Sequence, residues 1–144
     1  RKAVDGLDMA CPILIENTAG GANAMARHLE RIDQLWTTIS SASDADKVGF
    51  CLDTCHAHAG GEELVGLVDR LLAITGRIDL VHCNDSRDAF DSGADRHANL
   101  GQGQVDPAGL VEVVRLAKAP VVLETPGDAQ VHGLEIDYLK ENLA

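Results

Sequence analysis

Four short apolar runs of this sequence each end in a side chain of a type that binds divalent cations. The four residues are Glu16, Asp53, His82 and Glu124. A charged group beside an apolar run is costly to desolvate unless it is paired or coordinates a cation. An ion pair easily explains one such residue but not four in succession, and carboxylates with imidazole suit a divalent metal. The pattern therefore predicts a metal site built from the ends of successive strands.

A second set of candidate ligands follows close behind the first. His56 lies three residues after Asp53, and Asp95 and His97 lie together in a long segment between two apolar runs. In an extended segment, an aspartate and a histidine two residues apart can direct both side chains at one ion. The two sets together hold more ligands than one ion needs, so we expect two or three ions. Multimetal sites with oxygen and nitrogen ligands are typical of phosphoester hydrolysis.

The remaining histidines are weaker candidates. His28 is predicted to be a solvated residue on a helix among charged neighbours. His58 is interpreted either as a ligand or as an ordinary loop residue, and His132 has no ligand pattern around it.

The candidate ligands lie on a regular alternation of strands and helices. Strands are predicted at residues 12–16, 48–53, 79–84 and 120–124, and helices at residues 22–40, 62–75, 106–117 and 134–143. Strands rich in Ile, Leu and Val that alternate with helices favour a parallel sheet with right-handed crossovers. We expect an α/β fold of the (β/α)8 TIM-barrel type, in which active sites lie at the carboxyl ends of the strands. An open flavodoxin-like sheet gathers its ligands at one switch point, and so fits four consecutive strand ends less well.

Two local patterns sharpen this prediction. In the first helix, Met25, Leu29, Ile32 and Leu35 recur at helical spacing and are predicted to face the core. The segment at residues 86–105 is 20 residues long and lacks strong periodicity. Loops of that length inside a compact domain are usually functional or disordered.

Composition indicates a single acidic globular domain. The chain has 144 residues, 45% of them hydrophobic, and a formal net charge of −11. Its apolar runs are far shorter than the ~18–20 residues that a membrane helix needs, and no signal peptide precedes the first motif, so we expect a cytoplasmic protein without a membrane partner. The negative total argues against nucleic-acid binding when taken alone. Bound divalent cations would reverse the field locally at the site.

The cysteines and the first residues suggest two further expectations. Cys11, Cys51, Cys55 and Cys83 form no disulfide pattern and are predicted to be small, packed, reduced thiols. Residues 1–8 resemble the end of a helix more than the start of a domain, so we expect sequence to precede them.

The motifs at the strand ends, taken together, resemble those of endonuclease IV, the zinc-dependent apurinic/apyrimidinic endonuclease family. The matching segments are IENTAG at 15–20, GFCLDTCH at 49–56, HCNDS at 82–86, DRH at 95–97 and LETP at 123–126. They occur in the family's order and cover nearly the whole chain. The resemblance departs at Gly21 and His58, where we expect Gln and an aromatic residue, and this affects local DNA contacts.

The resemblance implies a fold, a cofactor and a role for each site residue. The fold is the TIM barrel with up to three Zn²⁺ ions, or Mn²⁺ in their place, at the rim. Glu16 would bridge two ions, Asp53, His82 and Glu124 would complete one of them, and His56, Asp95 and His97 would hold the third. The implied activity is cleavage of double-stranded DNA on the 5′ side of abasic sites, which leaves a 3′-hydroxyl. Glu124 and Glu16 are the implied catalytic residues, which orient or deprotonate the attacking water, and Arg96 is a candidate phosphate contact.

The chain is too short for the whole barrel. A TIM barrel needs eight strands and ~250 residues, whereas four strands are predicted here, and the family's two remaining histidine ligands belong to earlier strands. We therefore interpret residues 1–144 as the C-terminal half of a single barrel domain, and expect the full-length protein to be monomeric. Two alternatives remain: a divalent-metal sugar isomerase or epimerase on the related barrel, and an inactive half-barrel. The set of His56, Asp95 and His97 favours the nuclease over the isomerase.

Overall fold

A computed structural model describes residues 8–42 and 44–144. The predicted helix end at residues 1–8 lies almost entirely outside this range. The strands are β1 (Ile13–Glu16), β2 (Val48–Asp53), β3 (Leu80–His82), β4 (Asp85–Ser86), β5 (His97–Ala98) and β6 (Val121–Val122). The helices are α1 (Leu29–Ser40), α2 (Thr54–Gly60), α3 (Leu67–Thr75), α4 (Pro107–Ala117) and α5 (Ala129–Leu143), with a 3₁₀ turn at Ala45–Lys47.

A four-stranded parallel sheet in the order β1-β2-β3-β6 holds the four predicted strand ends at one edge. Glu16 pairs with Cys51, two residues before Asp53. Asp53 itself pairs with His82, and Glu124 lies two residues beyond the partner of His82. Side chains alternate between the two faces of a strand, and paired residues share a face. The register therefore turns all four side chains toward the same face of the sheet.

The helices pack on the opposite face. Phe50, Leu52 and Val81 are fully buried on that face and join the helices in one apolar core. On the face that carries the ligands, by contrast, Val122 is 42% exposed. In the described part of the chain, a layer of helices thus covers one side of the sheet, and the ligand side is left partly open.

The predicted starts of the first and last helices are wrong by five to seven residues. The helix α1 begins at Leu29 instead of residue 22, because the backbone N–H of Thr18 bonds Ala26 O at 2.9 Å and folds this segment back over the strand end. Consequently Met25 is exposed and does not face the core. The helix α5 begins at Ala129 instead of residue 134, because the Asp128 side chain accepts hydrogen bonds from two backbone N–H groups and caps it there.

The helix predicted at residues 62–75 included a loop at its start, and a separate helix before it was not predicted. The helix α3 starts at Leu67 instead of residue 62, after Gly66, whose φ of 69° lies in the left-handed region and interrupts a helix. Residues 54–60, which lie between the predicted second strand and the predicted second helix, form α2. Its cap is Asp53, whose side chain accepts from the His56 backbone N–H.

The long segment after β3 is ordered by a short antiparallel ladder and a buried carboxylate. The ladder pairs β4 with β5. Asp85 is fully buried and accepts hydrogen bonds from the backbone N–H groups of Gly101, Gly103 and Val105 at 2.8–3.1 Å. Glycine is required at position 103, because a Cβ there would overlap the Ser86 carbonyl oxygen. This packing gives His97, on β5, a fixed position.

Other sequence-based expectations concern thiols and membrane helices. Cys51, Cys55 and Cys83 are buried free thiols, as predicted, but Cys11 is exposed and is not packed. Burial raises the pKa of Cys51 and of Cys83 to about 12, with help from neighbouring carboxylates.

Among residues 8–42 and 44–144, no helix is both long and apolar enough to span a bilayer.

Candidate metal centre

Glu16, Asp53, His82 and Glu124 converge on one point at the carboxyl edge of the sheet. One ligand atom from each lies within 4.8 Å of the others. The Nδ1 atom of His82 lies 2.9 Å from Oε1 of Glu16 and 3.1 Å from Oε2 of Glu124. The Asp53 carboxylate is fully buried, whereas the side chains of Glu16 and Glu124 are 35% and 45% exposed. The group is therefore anchored in the protein and open toward solvent on its carboxylate side.

The second predicted set also assembles. The Nε2 atoms of His56 and His97 lie 3.0 and 3.2 Å from the same Oδ1 atom of Asp95. Asp53 joins these two histidines in a further group of potential ligands, and its Oδ2 lies 3.8 Å from Nε2 of His97. Asp53 thus lies at the junction of the two sets.

The orientation of the two histidine rings is the strongest indication of a cation. The Nδ1 atom of His56 lies 2.9 Å from the Asn17 carbonyl oxygen, and that of His97 lies 3.2 Å from the Glu124 carbonyl oxygen. A carbonyl only accepts, so each Nδ1 carries the proton and the Nε2 of a neutral ring presents a lone pair. Both Nε2 atoms are buried and have no hydrogen-bond partner.

Lone pairs of two neutral rings so close to one carboxylate oxygen would repel it, whereas a shared cation, or a proton on a ring, removes that repulsion. Imidazoles fixed by a carbonyl at the other nitrogen are the usual form of histidine ligands. The residues therefore fit a divalent metal, and the donor set of imidazole nitrogen and carboxylate oxygen suits zinc among others.

The pKa values of Asp53 and His56 are both raised, for different reasons. Burial raises the pKa of Asp53 above its ordinary value, and this effect exceeds the opposing influence of His56 and of the hydrogen bonds that the carboxylate accepts. Burial by itself lowers the pKa of His56, but Asp53, Asp95 and Glu16 together outweigh it and leave that pKa raised. Without a metal, Asp53 and His56 therefore hold protons more strongly than isolated side chains do.

Two buried asparagines, which the sequence analysis did not single out, tie the ligands to one another. Asn17 continues the β1–β2 ladder with its side chain: its amide donates to the Asp53 carbonyl at 2.9 Å and accepts from the Asp53 N–H at 2.8 Å. Asn84 makes the corresponding link between β2 and β6, since it donates to Asp53 Oδ2 and accepts from the Glu124 N–H. A signal was present in the sequence, because each asparagine follows a ligand by one or two residues at the end of a strand predicted to be buried.

The other candidates lie outside the two groups. Arg96 forms a bidentate ion pair with Asp88 and remains 63% exposed at its side chain, so its role as a phosphate contact stays a prediction. His58 Nε2 bonds the Asp88 carbonyl at 3.1 Å. His28 was predicted to lie within a helix, but it precedes α1 as its N-cap residue.

Comparison with known proteins gives this geometry a family context. The family model described as xylose isomerase-like TIM barrel matches residues 5–142. The chain belongs to the xylose isomerase-like TIM barrel family. The predicted TIM-barrel fold is confirmed, and the single sheet layer seen here is a partial barrel of that family.

Within this family, the chain is similar to proteins named endonuclease 4 or endonuclease IV. "Probable endonuclease 4" of Mycobacterium ulcerans is 56% identical over 143 residues, which are 99% of this chain and 54% of that protein. "Probable endonuclease 4" of Mycobacterium tuberculosis is 54% identical over 141 residues, 98% of this chain and 54% of that protein. The chain therefore spans about half the length of the curated relatives it matches. The resemblance to endonuclease IV read from the motifs is confirmed.

A solved structure agrees with these relatives. The crystal structure of endonuclease IV from Thermus thermophilus matches with a TM-score of 0.75 and 32% identity over 90% of this chain and 49% of that one. The similarity therefore extends to the backbone and again covers about half of the longer protein.

Proposed function

We propose that this chain forms the metal-binding, C-terminal half of a single barrel domain in a DNA repair phosphodiesterase. In this proposal, the complete protein uses zinc to cleave double-stranded DNA on the 5′ side of abasic sites and leaves a 3′-hydroxyl. The similarity to proteins named endonuclease 4 supports the reaction class. The protein would act as a monomer in the bacterial cytoplasm.

The observation that carries the proposal is that Asp53 belongs both to the group with Glu16, His82 and Glu124 and to a group with His56 and His97. The first group would hold one ion through Asp53, His82 and Glu124. A second ion would be held by His56 and His97 together with Asp95, which lies beside both rings. Glu16 would bridge the first ion to a third one. When bound, such ions neutralise phosphate charge and make water a competent nucleophile near neutral pH.

The chain's own residues would then orient the reaction. The carboxylates of Glu16 and Glu124 are the ligands of the first group with substantial solvent exposure, and in this proposal they would accept a proton of the attacking water. The exposed guanidinium of Arg96 lies between the ligands Asp95 and His97 in sequence and would contact the DNA backbone. Binding of cations at the rim would also offset the acidic charge of the chain and permit DNA to approach.

A sugar isomerase is the competing function on a related barrel. Such an enzyme would need the group of Glu16, Asp53, His82 and Glu124. It would have no need for the second set, whose two Nε2 atoms lie 3.0 and 3.2 Å from Oδ1 of Asp95. The presence of both sets is the reason to prefer phosphodiester cleavage.

The test is cleavage of a DNA duplex that carries one abasic site. We expect nicking on the 5′ side by a protein that contains this chain, product ends that a polymerase extends, and loss of nicking after chelation. A duplex of the same sequence without the abasic site is the matched control. Equal cleavage of both duplexes, or isomerisation of an aldose without nicking, would contradict the proposal.

The same assay compares the activity of the 144-residue chain with that of a longer protein that includes the preceding half of the barrel. Because the ligand face of the sheet is partly open at Val122, we expect the 144-residue chain alone to bind metal but to nick DNA far more slowly than a longer protein with the preceding half. Equal rates would show that the half-barrel is sufficient.

A further inference from the structure

Asn84 is a fully buried polar residue between the two ligands that flank β3. Its Nδ2 donates to Oδ2 of Asp53 at 2.7 Å and reaches toward Oε2 of Glu124 at 3.5 Å. Its Oδ1 accepts from the Glu124 backbone N–H at 2.8 Å. The side chain thus contacts a carboxylate on β2 and both the side chain and the backbone of Glu124, two residues after β6.

The main chain of Asn84 is fixed as firmly as its amide. The Thr54 hydroxyl donates to the Asn84 carbonyl at 2.7 Å and accepts from the Asn84 N–H at 2.9 Å. Thr54 is itself fully buried and opens α2. The amide therefore has little freedom to turn, and its two N–H groups have a defined direction.

The Asn84 amide also affects the electrostatic interaction between the two carboxylates. Asp53 and Glu124 are both acidic, and without a cation they repel one another across the site. One N–H of Asn84 directed at each carboxylate offsets part of that repulsion, and the bond to Asp53 Oδ2 selects which lone pairs of this oxygen remain for an ion. The bond to the Glu124 N–H takes the place of a ladder bond beyond His82 and Val122, where β3 and β6 end.

We propose that Asn84 is a positioning residue that sets the separation and orientation of Asp53 and Glu124 for metal binding. This inference rests on the metal site of the proposed function. Partners that orient metal ligands typically contribute about 10- to 100-fold to metal affinity.

The test measures metal binding, and so does not depend on turnover. Asn84→Ala removes the amide, and Thr75→Val is the control. Thr75 is buried and its hydroxyl bonds Leu71 O and Arg77 O near the amino end of β3, away from the ligands. The chain is titrated with Zn²⁺ against a chromophoric chelator and with Co²⁺ by visible absorption, and its metal-free unfolding midpoint is measured.

We expect Asn84→Ala to weaken the ion at Asp53, His82 and Glu124 about 10- to 100-fold and to alter its cobalt spectrum. Thr75→Val is expected to lower the unfolding midpoint while both metal readouts stay unchanged. If Asn84→Ala does not fold, Asn84→Asp keeps the volume and adds a negative charge. Charge alone would then tighten the binding, whereas lost positioning weakens it.

The outcomes separate this inference from the proposed function. Suppose that the wild-type chain binds metal. An unchanged affinity and spectrum in Asn84→Ala, or tighter binding in Asn84→Asp, would then overturn the role of Asn84 alone. An equal loss of affinity in Thr75→Val also overturns it, because general destabilisation would then be sufficient. Wild-type chain that binds no metal overturns the site and this inference together.

Discussion

The Nε2 atom of His56, on α2, lies 3.0 Å from Oδ1 of Asp95, which belongs to the segment between β4 and β5. His97 approaches the same oxygen at 3.2 Å. Both rings are held at Nδ1 by backbone carbonyls, so their free nitrogens converge on one small volume. Three ligands from two separate segments form this group, and the folded chain is needed to bring them together.

Removal of one ligand of this group should remove one ion. We expect His97→Ala to lower the metal stoichiometry of the chain by about one ion relative to wild type, because the two remaining ligands hold a cation poorly. Elemental analysis after dialysis without chelator measures the count. His28→Ala is the control, since His28 contributes no ligand to the groups described. An unchanged count in His97→Ala would contradict the assignment.

Glu124→Gln should reduce catalysis without altering the fold. The change removes a negative charge at nearly constant size, and the Glu124 backbone bond to Asn84 is retained. We expect abasic-site cleavage to fall by at least about 100-fold, in the range found for loss of a general base, with an unfolding midpoint close to that of wild type. Glu141→Gln, on the exposed face of α5, is the matched control. Retained turnover would rule out a catalytic role for Glu124.

Two glycine-to-alanine changes should act in opposite directions. A Cβ at Gly103 would overlap both the Ser86 carbonyl oxygen and Oδ1 of Asp85. We expect Gly103→Ala to lower the free energy of unfolding by about 2–3 kcal/mol, in the range of overpacked sites.

Gly133 is the matched site, because it lies inside α5 and a Cβ there would meet nothing within 4 Å. We expect Gly133→Ala to raise the free energy of unfolding by about 0.5–1 kcal/mol, since alanine loses less conformational freedom in a helix. Denaturant unfolding measures both variants. Equal effects of the two changes would show that the close approach at Gly103 does not constrain the segment.

The ion pair of Asp79 with Arg77 should contribute to the stability of the fold near neutral pH and be lost in acid. Burial alone would raise the pKa of Asp79, but the Arg77 guanidinium and the Phe50 N–H outweigh it and hold that pKa below its ordinary value. A carboxylate with a depressed pKa adds stability above its unfolded pKa, and this is lost as the pH falls through the folded pKa.

We therefore expect Asp79→Asn to be less stable than wild type by about 1 kcal/mol near neutral pH, a typical size for a charge-assisted hydrogen bond. The difference should disappear in strong acid, below the folded pKa of Asp79. Unfolding midpoints measured across this pH range test it. A difference that persists unchanged in acid would mean that the carboxylate charge is not the cause.

The strand ends could be located from the sequence because they are marked by local patterns. The bounds of β2 are those predicted, and Glu16, Asp53 and His82 each close a strand. An apolar run with a final polar residue needs no knowledge of contacts, and parallel strands bring their carboxyl ends to one edge in any such sheet. Helix starts were predicted less well, because capping by Asp128 and the fold of residues 22–28 over β1 depend on specific hydrogen bonds.

The sequence by itself therefore determined the family, the parallel α/β arrangement and the seven candidate ligands. Only the tertiary structure decided that Asp53 lies between two ligand groups, that the His56 and His97 rings turn their Nε2 atoms inward, and that Asn17 and Asn84 hold the strand ends together. The physical reason is that ring orientation and ligand distance depend on hydrogen bonds between residues far apart in the chain. Periodicity and local residue type carry no record of such bonds.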